Sequence, residues 1–280
     1  MIYKKYGVVF RRMREQAGLS LNFFSNNIGI PKSTLSNFEI GKSMMALDKV
    51  IMCLDLMGSS LEDFENLLNN YVSSNSNILV DEILRAEMIF DVEELRKLQE
   101  LAEENNFPYI AICTKAILGE IVREEVEKVT EFLYEVSLWN YKELFILYSI
   151  IEHLTTKDIV NILLNLKETG KEIHNSQQYQ GYLAHILYRS ITTFCLRGEK
   201  IKSKSIIESI HLHNLANTMF LRNLFIGVEG FWLYCFEDME EGRDRIIHFL
   251  DTQYLIGDQD AANYYNEFFL NLMDEVRSQK

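Results

Sequence analysis

The chain has 280 residues, 48% of them hydrophobic, only two prolines, and a formal net charge of −13. That apolar share is ample for a sizeable core, and so few prolines beside long 3.6-residue apolar patterns point to an all-α protein of two domains. The negative total argues against a general nucleic-acid binder. With no run of about 18 apolar residues and no charged-then-apolar leader, a soluble, cytoplasmic protein is expected.

The net charge hides an asymmetry. Residues 1–53 carry eight basic and three acidic side chains, a net +5, which leaves −18 for residues 54–280. A small basic head on a large acidic body suits a head that meets phosphate and a body that meets something else. Cys53, Cys113, Cys195 and Cys235 are scattered singly within apolar helical patterns, with no CxxC. That pattern argues against a cysteine metal site and more strongly against a disulfide framework.

In chain order, the spacing predicts five short helices near 4–17, 21–28, 32–39, 46–56 and 60–71. Gly18, Gly29, Gly41 and Gly58 separate them, at positions where helix C-terminal caps favour positive φ. The polar cluster SSNSN (73–77) marks a boundary. Three segments follow: a head over 1–72, a linker over 73–78, and a helical-repeat domain over 79–280. In the last, helices are expected near 77–88, 91–104, 107–119, 122–137, 140–152, 155–172, 176–196, 199–210, 213–236, 239–256 and 260–277. Several pairs share an outline, EGRDRIIHFLDTQYLIGDQDAANYYNEFF being the clearest. Stacked helical hairpins of this kind form a TPR-like solenoid with a concave inner surface, although the period is loose, about 30 to 45 residues.

The stretch IPKSTLSNFEIGKS (30–43) carries the chemistry of the head. Ser20 is a good N-cap for a helix whose Phe24 and Ile28 face inward. Gly29 turns the chain, and Pro31 sits where a missing N–H costs nothing. The next helix sets Leu35 and Phe38 on one side and leaves Lys32, Ser33, Thr34, Ser36 and Asn37 on the others. Two short helices joined by a tight turn, the second exposing small hydrogen-bonding side chains, is the layout of a helix-turn-helix. Short donors and acceptors suit base edges, because a duplex can approach that helix closely. A helical hairpin with a solvated polar face is the bland alternative. The flanking basic residues weigh against it.

Residues 7–64 resemble the repressor/Cro-like (XRE) helix-turn-helix family, on FRRMREQAGLS, KSTLSNFEIGKS and a closing LEDF. The resemblance implies that Arg14 and Glu39 form a structural ion pair. It also implies that Lys32, Ser33 and Asn37 read bases, while Arg11, Arg12, Thr34, Lys42 and Ser43 contact phosphate. With EVSLWNYKELFIL (135–147) and IIHFLDTQYLIGDQDAANYY, the chain is similar over most of its length to the Rgg/GadR/MutR regulators of Gram-positive bacteria. Such proteins join the head to a helical-repeat domain that binds a short secreted peptide once it is back inside the cell, and they act as dimers. Two departures stand out. Asn37 occupies a place where members often carry a basic residue, and Leu47 stands where some carry a Cys linking the subunits. Cys53 comes six residues later, which argues against an intersubunit disulfide.

A peptide groove needs apolar pockets and a few polar groups that hold an extended backbone. Tyr182 and Arg189, seven apart on one helix face, and Arg222, Asn223 and Glu229 within the apolar run 215–236 are the candidates. Each also has a structural reading, as a partner of acidic neighbours or the cover of a helix seam. Trp139 and Trp232 read as core. The histidines lack metal spacing: His153 and His174 stand alone, and His211 and His213 point to different faces. Imidazole as a group titrates near neutrality, which keeps a pH role through His185 or His248 open, although nothing else in the sequence supports it. No glycine-rich phosphate loop, HExxH or nucleophile elbow is present, and pairs such as Glu124–Glu125 and Glu240–Glu241 diverge on a helix, so neither catalysis nor a cofactor is expected.

The expectation is thus a homodimeric transcriptional regulator that binds a near-palindromic double-stranded DNA operator and answers to a short hydrophobic peptide, with no membrane partner. Two alternatives stay open: the same architecture sensing a metabolite or acid stress, and a protein-interaction module without a specific operator.

Overall fold

The computed structural model describes residues 4–68, 75–169, 177–256 and 259–278, and side chains from residue 76 and from residue 179 onward in the second and third of these stretches. Sixteen α-helices and one 3₁₀ turn make up the regular structure of these residues, which contain no strand. The chain divides into two compact units, 1–78 and 79–280. Of the expected linker, residues 73 and 74 lie outside the described residues, and 75–78 open a helix.

The head comprises α1 (Lys4–Gln16), α2 (Leu21–Ile28), α3 (Lys32–Glu39), α4 (Leu47–Met57) and α5 (Leu61–Leu68). Phe10, Phe24, Leu35, Phe38, Cys53 and Leu54 form its core, all but closed to solvent. The Phe10 and Phe38 rings meet edge to face, 5.2 Å apart, an arrangement that suits the ring quadrupoles. α1 lies so close to α3 that a Cβ on Gly7 would sit 2.0 Å from the Phe38 carbonyl oxygen. Gly29 ends α2 at φ 68°, in the left-handed region that only glycine enters freely.

The body contains α6 (Asn75–Met88), α7 (Val92–Glu104), α8 (Pro108–Ile117), α9 (Arg123–Glu135), α10 (Tyr141–Ile150), α11 (Thr156–Thr169), α12 (Gln177–Leu196), α13 (Lys200–His213), α14 (Met219–Phe236), α15 (Met239–Ile256) and α16 (Gln259–Ser278). α12 is central: it packs on α10, α13, α14 and α16, and on the 3₁₀ turn Ile151–His153. α14 and α15 make the closest pairing, because Gly230 and Gly242 face each other; a Cβ on Gly242 would lie 2.3 Å from the Tyr234 nitrogen. Both tryptophans are core, and each indole N–H is satisfied: Trp232 donates to Ser203 Oγ at 3.0 Å and Trp139 to Thr169 Oγ1 at 3.1 Å.

The junction of two helices differs from the sequence expectation: the helix expected over 199–210 runs on to His213. The helix expected over 213–236 begins only at Met219. Asn214 closes α13 at φ 48°, and the Thr218 hydroxyl accepts the Leu221 N–H at 3.1 Å, so five residues separate two capped ends. Cap chemistry overrides an apolar pattern that runs through the break.

Candidate functional site

In the head, the Ser20 hydroxyl accepts the Phe23 N–H at 3.2 Å and starts α2, and Pro31 precedes α3. Leu35 and Phe38 anchor α3 in the core, which leaves Lys32 and Ser33 exposed and Thr34, Ser36 and Asn37 partly exposed. The Asn37 carbonyl accepts the Lys42 and Ser43 N–H groups at 2.8 and 3.3 Å, wrapping the chain around the helix end. Its side-chain amide makes no hydrogen bond among the described residues, which leaves its donors and acceptor open to solvent.

Arg14 and Glu39 form a two-pronged pair, Nε to Oε1 at 2.6 Å and Nη2 to Oε2 at 3.1 Å. Arg14 Nη1 also donates to the Leu19 carbonyl at 2.7 Å, where α1 ends. Both residues are buried, which makes the pair a clamp between α1 and α3. The hydrogen bond that the guanidinium donates to Glu39 is the largest influence on it, and it raises the pKa against the cost of burial. Arg11, Arg12, Lys42 and Ser43 are exposed; Arg11 holds Glu15 at 2.7 Å across one helical turn. Cys53 lies closed in the head core, and burial pushes its thiol up to about 11, where it is a poor nucleophile. Leu47 is exposed.

The five groove candidates of the body do not meet at one place. Tyr182 donates to Tyr141 Oη at 2.8 Å, and Tyr141 in turn to Asp81. Arg189 is enclosed: Nη2 donates to Glu87 Oε1 at 2.7 Å and to Tyr264 Oη at 3.0 Å, and the guanidinium lies 4.0 Å from the Tyr148 ring centre. Tyr264 also donates to Glu87, at 2.9 Å. Burial opposes the charge on Arg189, but the surrounding tyrosines and Glu87 hold its pKa well above the ordinary value. Beside it, His185 is pushed down to about 4, first by burial and then by the Arg189 charge. The free space beside Arg189, lined by Tyr148, His185 and Tyr264 among others, is only about 20 Å³.

On α14, Arg222 Nε donates to the Ala216 carbonyl at 3.0 Å and Asn223 to the Phe249 carbonyl of α15 at 3.3 Å. Glu229 pairs with His211 of α13 at 2.8 Å. The structure thus gathers Tyr182 and Arg189 on the face of α12 that meets α10 and α16, and sends Asn223 and Glu229 towards α15 and α13. Glu87, Tyr148 and Tyr264 are central to this cluster and carry no sequence signal: Glu87 and Arg189 stand 102 residues apart.

A far larger space, about 760 Å³, lies between α11, α12 and α13, and none of the five candidates lines it. Its α12 wall is Gln180, Leu183, Leu187 and Phe194. At 100° per residue those positions lie opposite Tyr182, His185 and Arg189. Among the described residues no cluster of three potential metal ligands occurs. His174 lies outside them. No helix of these residues is long and apolar enough to cross a membrane.

Comparison with known proteins matches this architecture at both ends. The family described as HTH-type transcriptional regulator Rgg, C-terminal domain, covers residues 91–267, and the helix-turn-helix family covers residues 10–64. Among solved structures, the SHP pheromone receptor Rgg2 of Streptococcus dysgalactiae superposes with a TM-score of 0.73 at 19% identity, over 95% of this chain and 99% of that one. PlcR of Bacillus thuringiensis, solved in complex with the peptide PapR7 and DNA, superposes with a TM-score of 0.62 at 15% identity, over 92% and 99%. A curated HTH-type transcriptional regulatory protein of Thermococcus kodakarensis is 27% identical over 110 residues; that match spans 39% of this chain and about a third (34%) of the relative's length. With a basic helix-turn-helix head and a family match over most of the helical body, the chain belongs to the Rgg family of HTH-type transcriptional regulators.

Proposed function

We propose that the protein is a dimeric, cytoplasmic, sequence-specific DNA-binding regulator whose helical body answers to a short hydrophobic peptide. The observation that carries the DNA half is α3: clamped to α1 by the buried Arg14–Glu39 pair, it turns Lys32, Ser33 and Asn37 outward beside the exposed cations Arg11, Arg12 and Lys42. Lys32, Ser33 and Asn37 meet base edges, while Arg11, Arg12, Thr34, Lys42 and Ser43 meet phosphate. Two recognition helices related by a dimer axis enter successive major grooves, so the operator is a near-palindrome. The peptide half is supported by family membership and by the solved relatives: Rgg2 is a pheromone receptor, and PlcR is seen with a peptide and DNA.

On this reading the peptide lies along the α12 face that carries Tyr182 and Arg189. The space beside Arg189 is small because Tyr148 and Tyr264 close on it, and Glu87 holds both the guanidinium and the Tyr264 hydroxyl. A ligand must therefore part these side chains, and its preference for the opened arrangement supplies the change of state. Arg222, Asn223 and Glu229 of α14 do not join that path, since their partners are the Ala216 carbonyl, α15 and α13.

Fluorescence anisotropy on DNA from upstream of the gene, with scrambled DNA as control and at two salt concentrations, tests the DNA half. Binding to one sequence that survives the higher salt supports the reading. Equal, salt-labile binding to every sequence of a random library would overturn it. Titration of short apolar peptides into the protein–operator complex tests the ligand half: an affinity for DNA that no peptide changes sinks it.

A further inference from the structure

The cavity between α11, α12 and α13 has walls of a particular chemistry. Val160, Leu163 and Leu164 of α11, Leu183, Leu187 and Phe194 of α12, and Ile206 of α13 line an apolar trough of about 760 Å³. That volume is in the range of sites that enclose a small ligand. The polar lining is sparse and of one sign. Lys167, Lys202 and His213 are the titratable groups, with Ser205, Ser209 and Gln180 beside them, and no Asp or Glu contributes.

That bias stands out in a segment whose net charge is −18 over residues 54–280. Lys202 shares its charge with Glu199, 2.5 Å away, but Lys167 and His213 make no ion pair among the described residues. Leu164 and Ile201 stay 53% and 85% exposed at this site, an arrangement water disfavours and an apolar occupant would relieve.

From these walls we infer that the cavity is a second ligand site, which takes a single apolar chain ending in a carboxylate, a medium- or long-chain fatty acid. The chain lies against the leucines and Phe194, and the carboxylate reaches Lys167 and the Ser205 and Ser209 hydroxyls. The site is distinct from the proposed peptide path, because the two use opposite faces of α12, and it stands or falls independently of that path.

Isothermal titration of the full-length protein with dodecanoate, and with dodecanol as the uncharged chain, tests the site. One equivalent of dodecanoate binds, and dodecanol binds about fivefold more weakly, the difference an exposed ion pair supplies. Lys167→Met reduces that preference to within about twofold. Ser209→Trp, which pushes a ring into the trough, weakens both ligands by about tenfold or more, since an overfilled pocket must expand to admit them. A tetraleucine peptide serves as a further arm: if it binds with one equivalent and displaces dodecanoate, the cavity belongs to an apolar peptide and the fatty-acid assignment is overturned. No saturable binding of dodecanoate, or binding that neither variant weakens, also overturns it. So does a change of oligomeric state in Ser209→Trp without fatty-acid binding, which would make the trough a contact between copies. Should Ser209→Trp fail to fold, Lys167→Met decides alone. The anisotropy experiment on DNA reads the proposed function separately, so failure of one is not failure of the other.

Discussion

Asn37 and Glu39 lie two residues apart on α3 and do opposite work. Asn37 is partly exposed, its amide without a hydrogen bond among the described residues, whereas Glu39 is buried against Arg14. Replacing Asn37 by Ala removes a donor and acceptor from the surface and leaves the core intact. It is expected to cost about 1–3 kcal/mol at one operator position with unchanged thermal stability. Anisotropy across single-base operator variants reads this, and equal losses on all sequences would move Asn37 to the phosphate contacts. Glu39→Ala instead strands a buried guanidinium that keeps the Leu19 carbonyl and the more distant Glu15 carboxylate, 3.6 Å away. Losing one partner of a buried pair costs about 3 kcal/mol, so the head should melt earlier and affinity should fall on every sequence alike. A Glu39→Ala protein that melts like the parent would show that the pair adds little.

At the scale of elements, two contacts of the body carry sharp expectations. α14 and α15 touch through glycine, and Gly242→Ala places a methyl 2.3 Å from a backbone nitrogen that cannot retreat without moving the helix. Forcing such a contact costs about 1–3 kcal/mol, visible as a lower urea midpoint; an unchanged midpoint would mean that the helices part freely. On α12, His185 is packed against the Tyr188 and Phe220 rings beside Arg189 and is pushed down to about 4. The unfolded chain takes up that proton near pH 6.5, while the folded chain resists it. The stability that follows is present above about pH 6.5 and is lost as the pH falls towards 4. The loss should be on the order of 2 kcal/mol, less than a fully enclosed imidazole would give, because the side chain keeps some contact with solvent. Thermal unfolding between pH 7 and pH 4.5 should therefore decline more steeply for the parent than for His185→Gln. Parallel curves would refute it.

For the whole molecule, the proposed dimer makes spacing the test. Two α3 helices in successive major grooves require half-sites about one helical turn apart. Five base pairs inserted between them turn one half-site to the far side of the duplex, and affinity should drop by about tenfold or more towards the nonspecific level. Indifference to the insertion would argue for a single head on DNA. The charge distribution fits the same division of labour, since the basic head is drawn to phosphate while the acidic body is repelled by it.

Much of this was legible along the chain because it is local. Helix periods, the Ser20 cap, the glycine turns and the outward residues of α3 depend on neighbours within about four positions, and the spacing of Leu35 and Phe38 alone says which face of α3 points away from the core. The basic head and acidic body are likewise a matter of counting. The tertiary structure alone decided where the body keeps its room. Arg189 reads as an open groove residue until Glu87, 102 positions earlier, and Tyr264, 75 later, close around it. Arg222, Asn223 and Glu229 look like one cluster on a helix until their partners turn out to lie in three directions. The large cavity is built from α11, α12 and α13 side chains whose sequence signature is that of ordinary core leucines. Period and capping act through bonds and single turns, whereas the choice between a filled cleft and an open one depends on which distant side chains arrive there.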